Sequence, residues 1–353
     1  MEMTSRERML AAINHQELDR VPMDIWAVAE VKQALRDRFG SDDQAARQLH
    51  LDGFGFVGPR YVGGPKLIAN DEGKSNYFDI RHKAVKYATG TYFEQSYWPL
   101  ANAATIDDIE AYAWPQAEWF DYSQMAAQAR PVHDAKVVKV GYMAIFTYHI
   151  YLRGLENALM DPLVEPEFTR HLLGRLGEFF YQHHRRQLEA IGGLADMVEV
   201  TDDYGMQTGP LISLDVFREF YKPHVKRFCE LGKQFGCKVF HHDDGAMSGF
   251  IPDLLECGID VLNPIQWPCT GMDPAGLKRD YGKRLCFHGA VDNQRTLPFG
   301  TVEEVRAEVR RHIDVLAADK TGYILAPCHN IQANTPMENI LAMYDECWNY
   351  GRF

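Results

Sequence analysis

Reactive side chains in this sequence collect behind short apolar runs. Val198-Glu199-Val200 leads into Thr201-Asp202-Asp203, and Val239-Phe240 leads into His241-His242-Asp243-Asp244. Asn263 closes a third run, His288 with Asp292 a fourth, and Cys328-His329-Asn330 a fifth. Imidazole, carboxylate and thiolate are zinc-compatible donors, and three protein ligands leave a position open for water or substrate. His242-x-Asp244 together with Cys328 offers all three donor types. By spacing alone the same pattern also suits ordinary hydrogen-bonded loop residues. Asp202 or Asp203 could position or deprotonate a substrate, and His288 could act as acid, base or substrate contact. His241 should point away from His242, because successive strand side chains face opposite sides. His183-His184 beside Arg185-Arg186 reads as a solvated helix face.

Such a set works only if the fold brings the ends of those runs together. Thr4-x-x-Glu7 and Thr301-x-x-Glu304 are capping boxes that open helices, and Thr335-Pro336-x-Glu338 is read as a third helix start. Strands are expected near residues 21–26, 53–57, 137–141, 196–200, 238–242, 259–263, 285–288 and 322–326, separated by helical stretches. Gly63-Gly64-Pro65, Asp71-Glu72-Gly73 and Thr89-Gly90-Thr91 punctuate aromatic runs and point to a β-hairpin excursion, protruding over about 60–100. Eight alternating strands fit a single (β/α)8 TIM-barrel domain over residues 1–353, with an N-terminal helical extension. In that fold the C-terminal strand ends converge on one mouth, where the five polar clusters would meet. A doubly wound dinucleotide fold would need a GxGxxG turn, which the sequence lacks.

Composition narrows the class further. The 353 residues are 46% hydrophobic, which excludes disorder and disulfide-stapled miniatures. A formal charge of −12 argues against nucleic-acid binding. No apolar run reaches the roughly 18 residues of a membrane span, and the apolar stretch after Arg8 is too short for a signal segment. A cytoplasmic protein acting on a small molecule is expected. The seven cysteines include no CxxC and should be buried small hydrophobes, with Cys328 the exception.

The motifs carry a resemblance over nearly the whole chain. Thr4-Ser5-Arg6-Glu7-Arg8-Met9-Leu10-Ala11-Ala12 with Asp19-Arg20-Val21-Pro22 resembles the entry of the uroporphyrinogen decarboxylase superfamily. Phe287-His288-Gly289-Ala290-Val291-Asp292 resembles its glycine–aspartate turn. The stretch from Gly322 through Cys328 to Ile331, with Thr335-Pro336-Met337-Glu338-Asn339-Ile340, is similar to its last strand and helix. The resemblance implies a barrel, and it divides into porphyrinogen decarboxylases and zinc methyltransferases acting with methylated corrinoid proteins. The decarboxylases carry an arginine pair after the first strand, where this chain reads Met23-Asp24-Ile25-Trp26-Ala27-Val28-Ala29-Glu30. The methyltransferases bind zinc through His-x-Cys-Gly and a later Cys. This chain has His242-Asp243-Asp244-Gly245 and Cys328 in those places, with Asp244 replacing a cysteine.

The expectation is therefore a metal-dependent methyltransferase moving a methyl group between a small methylated compound or methyl-corrinoid and an acceptor. Its cofactors would be zinc and a corrinoid on a partner protein. Family members are often dimers, so a homodimer comes with the resemblance. The alternatives are a cofactor-free decarboxylase or lyase of a small acid, using Asp202 or Asp203, and a non-catalytic corrinoid-binding partner.

Overall fold

Seven parallel strands form one sheet in sequential order: β1 (Phe54–Phe56), β2 (Val137–Met143), β3 (Met197–Val200), β4 (Lys238–His242), β5 (Val261–Asn263), β6 (Cys286–Val291) and β7 (Tyr323–Pro327). They belong to a computed structural model, which describes residues 2–87 and 90–353. Thr89, one of the turn residues read from the sequence, lies outside the described residues.

An eighth position links the two edges of the sheet. Leu325 N donates to Pro22 O and Asp24 N to Leu325 O, while Asp52 N and Gly53 N donate to Met23 O. The strand expected over 21–26 is thus a single parallel bridge, Met23 to Leu325. Pro22 has no N–H to extend a ladder. The result is the eight-position (β/α)8 architecture. Near-continuous burial of β6 and β7 fits strands covered on both faces.

Local chemistry explains most element starts. The Thr4 and Thr301 capping boxes both form, opening Ser5–Ile13 and Val302–Leu316. The third does not. Pro336 takes the N-cap position of Met337–Tyr350, which moves Glu338 out of the closing position, and Thr335 Oγ1 is buried without a partner. Three antiparallel strands, Gly73–Ser75, Arg81–Tyr87 and Gly90–Tyr97, build the expected excursion.

His183 and His184 are not solvated, contrary to the sequence reading. Helix Pro166–Ile191 buries Phe180, His183, His184, Gln187, Leu188 and Ile191, a spacing of three and four that faces the core. His183 Nδ1 meets Tyr122 Oη at 2.8 Å, and His184 Nε2 accepts from Tyr142 N. Burial pushes their pKa values down to about 2 and about 4, so both rings are neutral. All seven cysteines are free and buried, Cys328 included. Among the described residues no helix is long and apolar enough to cross a membrane.

Candidate metal centre

The mouth is organised by where strands stop. β4 ends on His242 and β5 on Asn263, which are paired in register. Past β4, the backbone of residues 244–246 packs directly on that of 205–206: Ala246 N donates to Met206 O at 2.7 Å. A Cβ on Gly205 would stand 2.4 Å from Asp244 O, and one on Gly245 2.7 Å from Met206 O. Gly245 also has φ +89°, so the Asp244-Gly245 pair needs glycine on two counts. This backbone contact holds Asp203 beside Asp244, whose N donates to Asp203 Oδ1 at 3.3 Å.

His242 Nε2 lies 3.7 Å from Asp244 Oδ2 and 3.7 Å from Asp203 Oδ1. His329, two residues beyond β7, brings its Nε2 to 3.7 Å from Asp244 Oδ2. One ligand atom from each of His242, Asp244 and His329 lies within 4.8 Å of the others. These separations are too long for hydrogen bonds. They suit atoms sharing an ion, since ligands about 2.1 Å from a tetrahedral centre stand roughly 3.4 Å apart. Asp244 Oδ1 is buried and has no hydrogen-bond partner, an orphaned acceptor beside two imidazoles. Two nitrogens and a carboxylate oxygen fit zinc or another borderline divalent ion.

The electrostatics point the same way. Burial opposes a charge on His242, yet the carboxylates of Asp244 and Asp203 outweigh it and hold its pKa above the ordinary imidazole value. Burial raises the Asp244 pKa, with His242 and His329 opposing the rise. A cation at this point would favour the ionised Asp244 and would compete with the proton that the carboxylates hold on His242.

The structure thus brings together His242, Asp244 and His329, with Asp203 alongside. Cys328 faces elsewhere: its Sγ is 3.4 Å from Ile265 O in the core, and it is not among the clustered ligand atoms. His288 is fully buried behind Asn263, with Nδ1 2.6 Å from Asn263 Nδ2. His241 turns its Nδ1 to Val200 O, as strand alternation requires. Sequence reasoning named His329 as part of a polar run without selecting it, and it passed over Asp24 and Trp26. The available signal was position: His329, like Asp244, sits two residues past its strand.

Asp202 and Asp203 separate cleanly. Asp203 is half exposed at the mouth. Asp202 is buried, accepting from Thr147 N at 2.8 Å, Ile145 N at 3.3 Å and Tyr204 Oη at 2.7 Å. It caps helix Phe146–Arg153, whose own N-cap residue Ile145 has no side-chain acceptor. Burial pushes the Asp202 pKa up to about 6, with the Thr147 and Tyr204 hydrogen bonds limiting the rise. An acid that holds its proton more tightly when folded stabilises the fold below its ordinary pKa of 3.8 and loses that contribution as pH climbs through about 6. We therefore expect the stability of the parent relative to Asp202→Asn to fall by roughly 2–3 kcal/mol between about pH 4 and about pH 7. Denaturant titrations of both proteins across that window check it, and a constant difference would place the titration elsewhere.

Beside Asp244 and His329 opens a cavity of about 580 Å³. Its walls carry the amides of Gln207, Gln266, Asn293, Gln294, Gln332 and Asn334, and among the described residues no lysine or arginine lines it.

A uroporphyrinogen decarboxylase of Thermus thermophilus is 27% identical over 184 residues, 50% of this chain and 47% of that protein. Methylcobamide:CoM methyltransferase of Methanosarcina barkeri is 26% identical over 149 residues, 42% of this chain and 40% of that one. The chain therefore aligns with less than half the length of either relative. A solved methyltransferase from Methanosarcina mazei shares the fold over 99% of both chains, with a TM-score of 0.66 at 17% identity. The uroporphyrinogen decarboxylase (URO-D) family profile matches residues 91–350. Because that match runs from the antiparallel excursion to the end of the last helix, the chain belongs to the uroporphyrinogen decarboxylase family.

Proposed function

We propose that this chain is a methyltransferase working with a divalent metal ion, zinc in the first instance, held by His242, Asp244 and His329. It moves a methyl group between a small methylated compound or a methyl-corrinoid and an acceptor. The observation that carries this reading is the convergence of His242 Nε2 and His329 Nε2 on Asp244 Oδ2, on a buried carboxylate whose Oδ1 has no partner. The sequence similarity to a methylcobamide:CoM methyltransferase supports a corrinoid protein as partner.

A bound divalent ion supplies Lewis acidity that lowers the pKa of an acceptor thiol or hydroxyl. The chain's own residues do the rest. Asp203, half exposed and 3.7 Å from His242 Nε2, is placed to hold the acceptor or take its proton. Asp202, buried and already accepting from Thr147 N and Tyr204 Oη, serves as the cap of its helix in this reading. The amides of the cavity can orient a neutral polar substrate by hydrogen bonds. A carboxylate in place of a thiolate makes the donor set harder, which brings oxygen acceptors within reach as well as thiols.

The test is metal analysis followed by an assay. Purified protein should carry close to one equivalent of metal. Transfer from methylcobalamin to a thiol or phenol should stop on chelation and return with zinc. Metal-free protein, or activity indifferent to chelation, would favour the decarboxylase or lyase reading instead.

Uroporphyrinogen should not be turned over. Its four acetate and four propionate groups need cationic partners in a desolvated cleft. The cavity offers amides and Asp244, and residues 23–30 hold no arginine. Loss of carbon dioxide from uroporphyrinogen with the purified protein would refute this argument.

A further inference from the structure

We propose that Asn263 is a positioning residue that fixes the tautomer of His242, as the middle member of a one-way hydrogen-bond chain anchored on Asp24. The chain runs across four elements. His242 Nδ1 is 2.6 Å from Asn263 Oδ1, Asn263 Nδ2 is 2.6 Å from His288 Nδ1, and His288 Nε2 is 3.0 Å from Asp24 Oδ2. Asp24 Oδ2 also accepts from Trp26 Nε1 at 3.2 Å. The register supplies the spacing: Asn263 pairs with His242, and Leu262 pairs with Phe287, one residue short of His288. Asp24, Asn263 and His288 are all buried.

Direction follows from valence. An ionised carboxylate only accepts, so His288 must present Nε2–H to Asp24. The neutral His288 ring then has a lone pair on Nδ1, which takes a proton donor from the Asn263 NH2. Asn263 is left with its carbonyl oxygen toward His242, which accepts from Nδ1–H. In the neutral His242 ring Nε2 therefore keeps its lone pair, and that atom faces Asp203 and Asp244. Turning the Asn263 amide over would set a lone pair of His288 against the Asp24 carboxylate. Trp26 packs on both rings, with centroids 5.3 Å from His242 and 6.0 Å from His288, which leaves little room for either to flip.

An amide carries polarity and no exchangeable proton wire, so the chain orients His242 rather than delivering protons to it. Asp24, on the far side of the barrel interior, thus dictates which nitrogen of His242 is available at the mouth. The use of that lone pair for a metal rests on the reading above, whereas the tautomer itself does not.

The experiment separates the two. Nitrogen NMR of the histidine rings, in metal-free protein at alkaline pH where the rings are neutral, reports the His242 tautomer, with His242→Gln for assignment. The parent should show Nδ1–H. Asn263→Asp, whose carboxylate still accepts from Nδ1–H, should keep it, and Asn263→Leu should lose the preference. Zinc titration of the same proteins should show binding weakened about 10- to 100-fold in Asn263→Leu and largely restored in Asn263→Asp. An Nε2–H ring in the parent, or an Nδ1–H ring unchanged in Asn263→Leu, overturns the proposal. Should Asn263→Leu fail to fold, the parent and Asn263→Asp spectra still decide it. A correct tautomer with no zinc bound by the parent would instead sink the metal reading alone.

Discussion

His329→Ala should lose its metal, and Cys328→Ser should keep it. Removing a group one shell away from a metal typically costs 10- to 100-fold in affinity. Losing one of three protein ligands outright should therefore cost more than about 100-fold. Cys328 is the neighbour with the softer donor, and the zinc methyltransferases that the sequence resembles use a cysteine there. In this chain its Sγ donates toward Ile265 O at 3.4 Å, inside the core. Burial pushes the thiol well above its ordinary pKa, and the nearby Asp292 adds to the rise, so the neutral form is strongly favoured. A serine hydroxyl can make the same contact to Ile265 O. Zinc per chain, measured on both variants and the parent by elemental analysis, reads the result. Full occupancy in His329→Ala with loss in Cys328→Ser would mean that the end of β7 turns over on metal binding and that the thiolate is the ligand.

That pair of residues shows where the sequence stops being informative. Seven of the eight strand runs and two of three capping boxes could be read directly, because each is a local pattern with a local cause. Alternation then predicts side-chain direction only while a strand lasts. β7 stops at Pro327, so alternation no longer decides between Cys328 and His329. Asp202 and Asp203 pose the same problem beyond β3, and the answer lies in a helix start more than fifty residues upstream, at Ile145 and Thr147. His183 and His184 were legible in principle. Their spacing from Phe180, Gln187 and Ile191 marks a buried face, but the adjacent arginine pair masked it. Asn263 ends a strand and was visible as polar. Its link through His288 to Asp24 was not, since those residues meet only once the barrel closes.

The closure itself should be the most fragile part of the fold, and Asp52→Ala tests it with an expected loss of about 3–5 kcal/mol. Asp52 is fully buried just before β1. It accepts from Arg8 Nη1 at 2.6 Å, from Arg20 Nη1 at 2.9 Å and Nη2 at 3.0 Å, and from Met23 N at 3.0 Å. Arg8 also clamps Asp19 through Nε and Nη2. The N-terminal residues that carry the family resemblance are therefore structural: they tie the first helix and the 22–24 bridge to the start of β1. Alanine at position 52 leaves the buried Arg20 guanidinium without its counter-charge, Arg8 with Asp19 alone and one backbone N–H unpaired, which is the costly way to break such a cluster. Asp52→Asn should lose less, because it keeps one oxygen while turning an NH2 toward donors. Urea titrations should show a lower midpoint at an unchanged slope, the mark of lost stability without a change in what unfolds. Zinc binding by the folded fraction should be retained, because His242 and His329 hang from the C-terminal ends of β4 and β7 rather than from this cluster. An unfolding free energy within about 1 kcal/mol of the parent would show that Arg8 and Arg20 find other partners, and that the bridge at Met23 closes the barrel without them.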